Sequence, residues 1–212
     1  MEWLESAKNQ FSQTSSLEFW GVGLNFAAVL LTMRASRWNF PVGVVACLLF
    51  FELFLQYKLY ADAVLQIFFL VLVFYGWWNW LRPKSHNAEL PVRAELPIRR
   101  APRLVLAVSL FGAAIFGGAW GYGLERFTDA SVPFFDAQIA AFSVVAQWMI
   151  ARKWLENWLV WIGVDILATG VFWHKDLKFT ALLYALFTVM AIFGFLRWRK
   201  LMDNSPTAVQ ST

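Results

Sequence analysis

The chain of 212 residues is poor in the residue types from which soluble catalytic and metal sites are built. It contains one cysteine and two histidines, and charged residues make up only 15%. A soluble domain would carry about 25% charged residues. Cys47 has no intrachain partner for a disulfide, no histidine or cysteine pair has metal-ligand spacing, and no Gly-rich phosphate loop follows a strand. We therefore expect no metal, no bound cofactor and no nucleic-acid partner.

Apolar and aromatic residues dominate instead. Hydrophobic residues reach 59%, with 13 Trp and 21 Phe, and they gather into seven stretches, each near the ~20 residues that cross a bilayer. Backbone groups in lipid must bond within their own segment, so these stretches are predicted to be helices of an all-α integral membrane protein. The seven stretches are residues 17–33, 38–57, 61–81, 103–124, 134–151, 155–173 and 178–196.

The two ends of the chain form an internal repeat. Residues 18–80 align without a gap on 136–198, at a shift of 118 positions, with 13 identities in 63 positions. The identities include Asn39/Asn157, Gly76/Gly194 and Trp80/Trp198. Such weak repeats are typical of transporters built from two related halves. Spans 1–3 thus correspond to spans 5–7, and the extra fourth span makes the two triplets parallel.

This repeat divides the chain into segments. The fourth span carries Gly112, Gly117 and Gly118, small residues that permit close helix contact, so we expect it to pack against the bundle. The predicted segments are an interfacial N-terminal segment (1–16), repeat 1 (17–81), a cytoplasmic linker (82–102), a linker helix (103–124), repeat 2 (134–196) and a flexible tail (203–212).

Basic residues predict the orientation. Of the 18 Lys and Arg, five lie on the side that holds the N-terminus and the loops after spans 2, 4 and 6. The other thirteen lie on the side of the remaining loops and the C-terminus. The positive-inside rule then places the N-terminus outside and the C-terminus in the cytoplasm.

A polar stripe in span 6 is the leading candidate for a binding site. Asp165 lies mid-span, where a carboxylate is costly. Asn157, Trp161 and Asp165 follow at i, i+4 and i+8, on one helix face, with Trp158 beside them. Aromatic faces attract a flat cation, so this face suits such a ligand. The alternative is that Asp165 pairs with another helix and the tryptophans are packing or interfacial residues.

Further candidates come from matched positions. Gln66 in span 3 and Tyr184 in span 7 are equivalent in the repeat, as are Asn39 and Asn157 at the ends of spans 2 and 6. Interhelical hydrogen bonding or capping is the alternative for these pairs. The remaining two candidates, with weaker support, are Asn25 and Gln147. At the end of span 3, at least two of Trp77, Trp78 and Trp80 are predicted to belong to an interfacial aromatic belt.

Several motifs resemble the PnuC family of nicotinamide riboside transporters. They are Lys-Leu-Tyr-Ala-Asp-Ala (58–63), Leu-Gln-Ile-Phe (65–68), Tyr-Gly-Trp-Trp-Asn-Trp (75–80), Glu-Asn-Trp-Leu-Val-Trp (156–161) with Asp165, and Thr-Ala-Leu-Leu-Tyr (180–184). The resemblance covers roughly 17–200. It implies a 3+1+3 helix fold like that of the SWEET sugar carriers and a homotrimer in the bacterial inner membrane. It also implies facilitated diffusion of nicotinamide riboside, trapped inside by a cytoplasmic kinase.

The expected function is accordingly uptake of nicotinamide riboside by a protein that is not an enzyme and that contacts membrane lipid. The ligand is a pyridinium cation with an amide and a ribose, which tryptophan, Asp165 and the amide side chains could bind. The alternatives are a carrier for another vitamin or nucleoside (thiamine, riboflavin or a deoxynucleoside), a membrane-embedded enzyme, and a receptor without transport.

Overall fold

A computed structural model describes residues 16–57, 60–82, 97–127 and 132–204. Within these residues the chain forms seven helices, which confirms the predicted all-α fold. They are α1 (Ser16–Met33), α2 (Asn39–Gln56), α3 (Tyr60–Leu81), α4 (Arg103–Phe127), α5 (Pro133–Ala151), α6 (Asn157–His174) and α7 (Lys178–Asp203). The predicted N-terminal interfacial segment, most of the 82–102 linker and nearly all of the tail lie outside the described residues.

Five of these helices are long and apolar enough to cross a membrane: α2, α3 from Asp62, α4, α5 and α7. The apolar part of α1, Phe19–Met33, is shorter, and α6 carries Asn157 and Asp165. Large apolar side chains cover much of the outer surface, for example Leu104, Val108 and Phe111 on α4. Such a surface is compatible with lipid rather than water, and the chain is a multi-pass membrane protein.

The helix contacts follow the repeat. Helix α1 packs on α2, and α2 on α3, as α5 packs on α6 and α6 on α7. Across the molecule α3 contacts α5, and α7 contacts α1. These two contacts are also equivalent, because the shift of 118 positions relates α3 to α7 and α1 to α5. This symmetry supports the proposal that the first triplet, α1–α3, and the second triplet, α5–α7, are repeats. We call them the first and second halves.

Equivalent turns join the first two helices of each half. Ala35, after α1, has φ 51°, and Lys153, after α5, has φ 53°, a left-handed conformation that residues other than glycine rarely adopt. The two residues are 118 positions apart. The Ala35 N–H donates to the Thr32 carbonyl at 2.8 Å, and the Lys153 N–H donates to the Ile150 carbonyl at 2.9 Å. The same turn therefore ends both helices.

Helix α4 packs on α5 through glycines. A Cβ added at Gly117 would lie 2.8 Å from Gln138 Oε1, and one added at Gly121 would lie 2.7 Å from the Phe134 Cα. Glycines four residues apart thus let the two backbones approach, as in other membrane helix pairs. Of the three glycines predicted for this role, Gly117 makes the contact, whereas a Cβ at Gly112 would meet nothing within 4 Å.

The segment before α4 is fixed to the turn between α5 and α6. Arg99 N–H donates to the Lys153 carbonyl at 3.0 Å, and Leu155 N–H donates to the Arg99 carbonyl at 2.9 Å. The buried Glu156 carboxylate accepts a bond from the Ala101 N–H at 2.7 Å. These bonds attach the start of α4 to the second half, at the end of the bundle where most of the described Lys and Arg residues lie. We call this end the basic end.

Candidate functional site

The predicted stripe on α6 does face the interior at two of its three positions. Asn157 is fully buried and Asp165 is 5% exposed, while Trp161 is half-buried. Asp165 lies eight residues beyond Asn157, which is about 12 Å along the helix. Among the ion pairs within the described residues, none includes the Asp165 carboxylate. This acidic group therefore lies inside the bundle without a basic side chain to neutralise it.

Tyr184 on α7 lies in the same region as Asp165. Its hydroxyl is close enough to the Asp165 and Asp62 carboxylates to interact with both electrostatically. The Tyr184 ring stacks on Phe172, with centroids 5.2 Å apart and planes 13° apart. The structure thus brings two predicted residues, from α6 and α7, onto one aromatic and acidic surface.

That aromatic surface continues across to the first half. Tyr184 meets Phe187 edge-on, with centroids 6.2 Å apart, and Phe187 stacks on Phe26 of α1 at 4.7 Å. Sequence reasoning missed Phe26, Phe172 and Phe187, because in a chain with 21 Phe no single phenylalanine stands out. Phe187 is identical to its repeat partner Phe69, a signal that could have singled it out.

Near the basic end, Asn157 and Trp158 present polar atoms that lack partners. Asn157 Oδ1 and Trp158 Nε1 are buried and make no hydrogen bond, while the Asn157 amide donates to the Trp154 carbonyl. A buried polar atom without a partner costs about 1–3 kcal/mol. One unmet acceptor and one unmet donor on adjacent residues match the donor and acceptor of a carboxamide ligand.

Asn39, the repeat equivalent of Asn157, is linked to this pair through Thr32 and Trp198. Its amide donates to the Thr32 hydroxyl at 2.9 Å, and its Oδ1 is also buried and unbonded. The Thr32 carbonyl in turn accepts from the Trp198 indole, and Trp198 meets Trp158 edge-on at 5.6 Å. Thr32 and Trp198 therefore connect Asn39 of the first half to Trp158 of the second half.

Within the described residues, the other predicted residues have no hydrogen bond to either of these two groups. Gln66 on α3, Asn25 on α1 and Gln147 on α5 are half-buried, and the structure describes no hydrogen bond that joins any of them to the α6 stripe. Their roles remain predictions. Trp78 is 55% exposed, as an interfacial residue should be, whereas Trp80 is 5% exposed and lies in the core. The aromatic-belt interpretation does not hold for Trp80.

Sequence reasoning did not identify the role of Trp80 and Trp198 in joining the two halves. The Trp80 indole donates to the Ile150 carbonyl at 3.1 Å, and the Trp198 indole donates to the Thr32 carbonyl at 2.8 Å. The two donors occupy equivalent positions in the repeat, and so do the two acceptors. Each bond joins the first half to the second half. The signal was available, since Trp80/Trp198 is one of the 13 identities.

In the part of the chain that the structure describes, two triplets of helices with α4 beside them enclose a buried acidic and aromatic surface, and this arrangement defines a polytopic membrane protein of the carrier class. The chain belongs to the nicotinamide mononucleotide transporter family, which matches residues 15–200. The predicted family is confirmed, and because this family comprises transporters, so is the prediction that the chain is not an enzyme.

Named relatives agree with this assignment. The chain is 29% identical over 179 residues to the nicotinamide riboside transporter PnuC of Escherichia coli, across 76% of this chain and 75% of the relative. It is 24% identical over 186 residues to the riboflavin/roseoflavin transporter RibM of Streptomyces davaonensis, across 86% and 85%. The crystal structure of the vitamin B3 transporter PnuC matches with a TM-score of 0.69 and 17% identity, across 94% of this chain and 87% of that one.

Proposed function

We propose that the chain carries nicotinamide riboside across a bacterial inner membrane by facilitated diffusion. The observation that carries this proposal is the Asp165 carboxylate, buried beside Tyr184 with no basic partner among the described residues. A pyridinium cation would offset that charge, and aromatic rings favour its flat face. The same carboxylate would repel a phosphate group, which favours the nucleoside over its mononucleotide.

The polar atoms near the basic end support the same ligand class. The carboxamide of nicotinamide has one acceptor and two donor hydrogens, which suit Trp158 Nε1 and Asn157 Oδ1, both buried and unbonded. The ribose hydroxyls would bond to Tyr184, with Gln66, Asn25, Gln147 and Asn39 as further candidates.

The proposal extends to the cell. By the positive-inside rule, the excess of Lys and Arg in the sequence on the side of the C-terminus supports a cytoplasmic location for that side. A cytoplasmic kinase would add a phosphate and so prevent return. We also propose a homotrimer in lipid, in keeping with the apolar face of α4 that includes Leu104, Val108 and Phe111.

Riboflavin is the second candidate substrate, because one relative is a riboflavin/roseoflavin transporter. Flavin rings are flat but uncharged, so riboflavin would not offset the charge of the buried Asp165 carboxylate. Competition separates the two possibilities without any variant of the protein.

The test is uptake of labelled nicotinamide riboside into proteoliposomes, with riboflavin, thiamine and nicotinamide mononucleotide as competitors. We expect uptake that only the unlabelled riboside suppresses strongly. Suppression by riboflavin at lower concentration would favour the second candidate, and absence of uptake above empty liposomes would reject transport of the riboside.

A further inference from the structure

At the basic end, two tryptophans that each donate a hydrogen bond to the opposite half form a symmetric closure between the halves. Trp80 and Trp198 are 5% and 0% exposed, and their ring centroids lie 6.1 Å apart. Phe40 meets Trp80 edge-on at 4.9 Å and 89°, and the equivalent Trp158 meets Trp198 edge-on at 5.6 Å and 89°. Four rings from both halves thus fill the space between the triplets at this end.

From this geometry we propose that the two indole hydrogen bonds close a gate at the basic end, and that it opens when the Trp198 bond between α1 and α7 breaks. This inference rests on the proposed transport function. The closure lies between the acidic surface around Asp165 and the basic end. A ligand bound at the acidic surface therefore cannot leave past these rings while both bonds hold.

The acceptors are arranged so that opening leaves neither of them without a partner. The Thr32 carbonyl also accepts from the Ala35 N–H at 2.8 Å, and the Ile150 carbonyl also accepts from the Lys153 N–H at 2.9 Å. A carbonyl has two lone pairs. When an indole leaves, its acceptor keeps a backbone partner and no buried acceptor is orphaned, which would be the expensive outcome. The two left-handed residues supply those permanent donors.

The two bonds differ in their surroundings, and this difference assigns them separate roles. At the contact of α3 with α5, Asn79 also donates to the Ala151 carbonyl at 2.7 Å, and the Lys153 ammonium lies 4.2 Å from the centre of the Trp80 ring. At the contact of α1 with α7, the position equivalent to Lys153 is Ala35, which has no charge. We infer that α1 and α7 separate while α3 and α5 act as the hinge.

Trp158 couples the proposed ligand to this gate. Trp158, which offers an unbonded buried Nε1, packs edge-on against Trp198, whose bond closes the α1/α7 contact. A ligand that bonds to the Trp158 indole and moves its ring would disturb Trp198. Release toward the basic end would then follow from binding itself.

Spin labels test the gate without any transport measurement. In a Cys47→Ala background, one pair at Arg34 and Lys200 reports on the α1/α7 contact, and a second pair at Leu81 and Arg152 reports on the α3/α5 contact. Trp198→Phe retains a ring but loses the N–H. We expect it to add a longer-distance population for the first pair only, while Trp173→Phe, an exposed tryptophan on α6, changes neither.

A cross-link tests the same gate in a protein that keeps both tryptophans. Cysteines at Arg34 and Lys200, joined by a reducible bifunctional reagent, should abolish riboside uptake, and reduction should restore it. Cross-linked cysteines at Leu81 and Arg152 should leave uptake intact. Full uptake with the α1/α7 contact locked, or unchanged distances in Trp198→Phe, would overturn the gate. Absence of uptake by the untreated parent would instead reject the proposed function.

Discussion

Gly194 on α7 lies directly against the ring of Trp158 on α6, so closely that a Cβ at Gly194 would be 2.6–2.7 Å from three atoms of that ring. The equivalent Gly76 on α3 has the same relationship to Phe40, also at 2.6 Å. Each glycine makes room for an aromatic ring that packs against the tryptophan four residues further along the same helix. In each half, a glycine, an aromatic ring and a tryptophan therefore pack together in the same way.

Gly194→Ala should displace Trp158 and lower the stability of the protein. Overpacking of this kind costs typically about 1–3 kcal/mol, which should lower the midpoint of thermal unfolding in detergent. Gly170→Ala on α6, where an added Cβ meets nothing within 4 Å, is the matched control and should be neutral or slightly stabilising. Equal midpoints for the two variants would contradict the close packing.

Gly121→Ala should weaken the contact between α4 and α5. The obstacle is the Phe134 Cα, which belongs to the backbone and can yield only if a helix moves. We expect a loss of roughly 1–3 kcal/mol, measured by unfolding in a mixed detergent, whereas Gly112→Ala, facing open space, should match the parent. If both variants unfold alike, α4 does not depend on this contact.

Asp165→Asn should weaken binding of nicotinamide riboside while it preserves size and hydrogen bonding. The loss arises because the cation would no longer offset a carboxylate. Calorimetry on the purified variant measures it, and Asp176→Asn, on an exposed residue beyond α6, serves as the control. Riboside binding equal to that of the parent would place the cation elsewhere.

Trp161→Ala should remove a surface on which the pyridinium ring can stack, at a cost of about 1–2 kcal/mol of binding. The affinity should fall by roughly tenfold on that scale. Trp173→Ala, an exposed tryptophan at the other end of α6, should leave the affinity unchanged. A folded Trp161→Ala protein with parental affinity would show that the ring only packs.

A cysteine introduced at Ser205, in the Cys47→Ala background, tests the proposed orientation. The charge distribution predicts a cytoplasmic C-terminus. An impermeant thiol reagent should therefore label this cysteine only after the cells are opened. Labelling in intact cells would reverse the orientation.

Much of the fold could be predicted because the membrane limits the possibilities. Apolar length alone predicts seven helices, and their observed ends lie within a few residues of the predicted ones except at α7. That helix was expected to end near 196 but continues to Asp203. Hydropathy marks only the part that lies in hydrocarbon, and a helix rich in basic residues, including Arg197, Arg199 and Lys200, can extend beyond it into water.

The candidate site stays a prediction. Asp165, Asn157 and Tyr184 were chosen because polar residues are conspicuous in an apolar span, and the repeat added Asn39. Gln138, which bonds to the Ala114 carbonyl at 3.1 Å and holds α4 on α5, was not identified. Its repeat equivalent is Trp20, so the comparison of the two halves offered no signal.

The sequence by itself determined the membrane class and the positions of the described helices, and it predicted the pairing of the two halves, because apolar length and a constant shift can be read along one dimension. Only the tertiary structure decided which of the tryptophans at the end of α3 face lipid. Trp78 and Trp80 are the same residue type and lie at nearly the same position along α3. A separation of two residues turns the helix by about 200°, which places Trp78 outward and Trp80 against Trp198. Which side of a helix meets its neighbour depends on how all seven pack together.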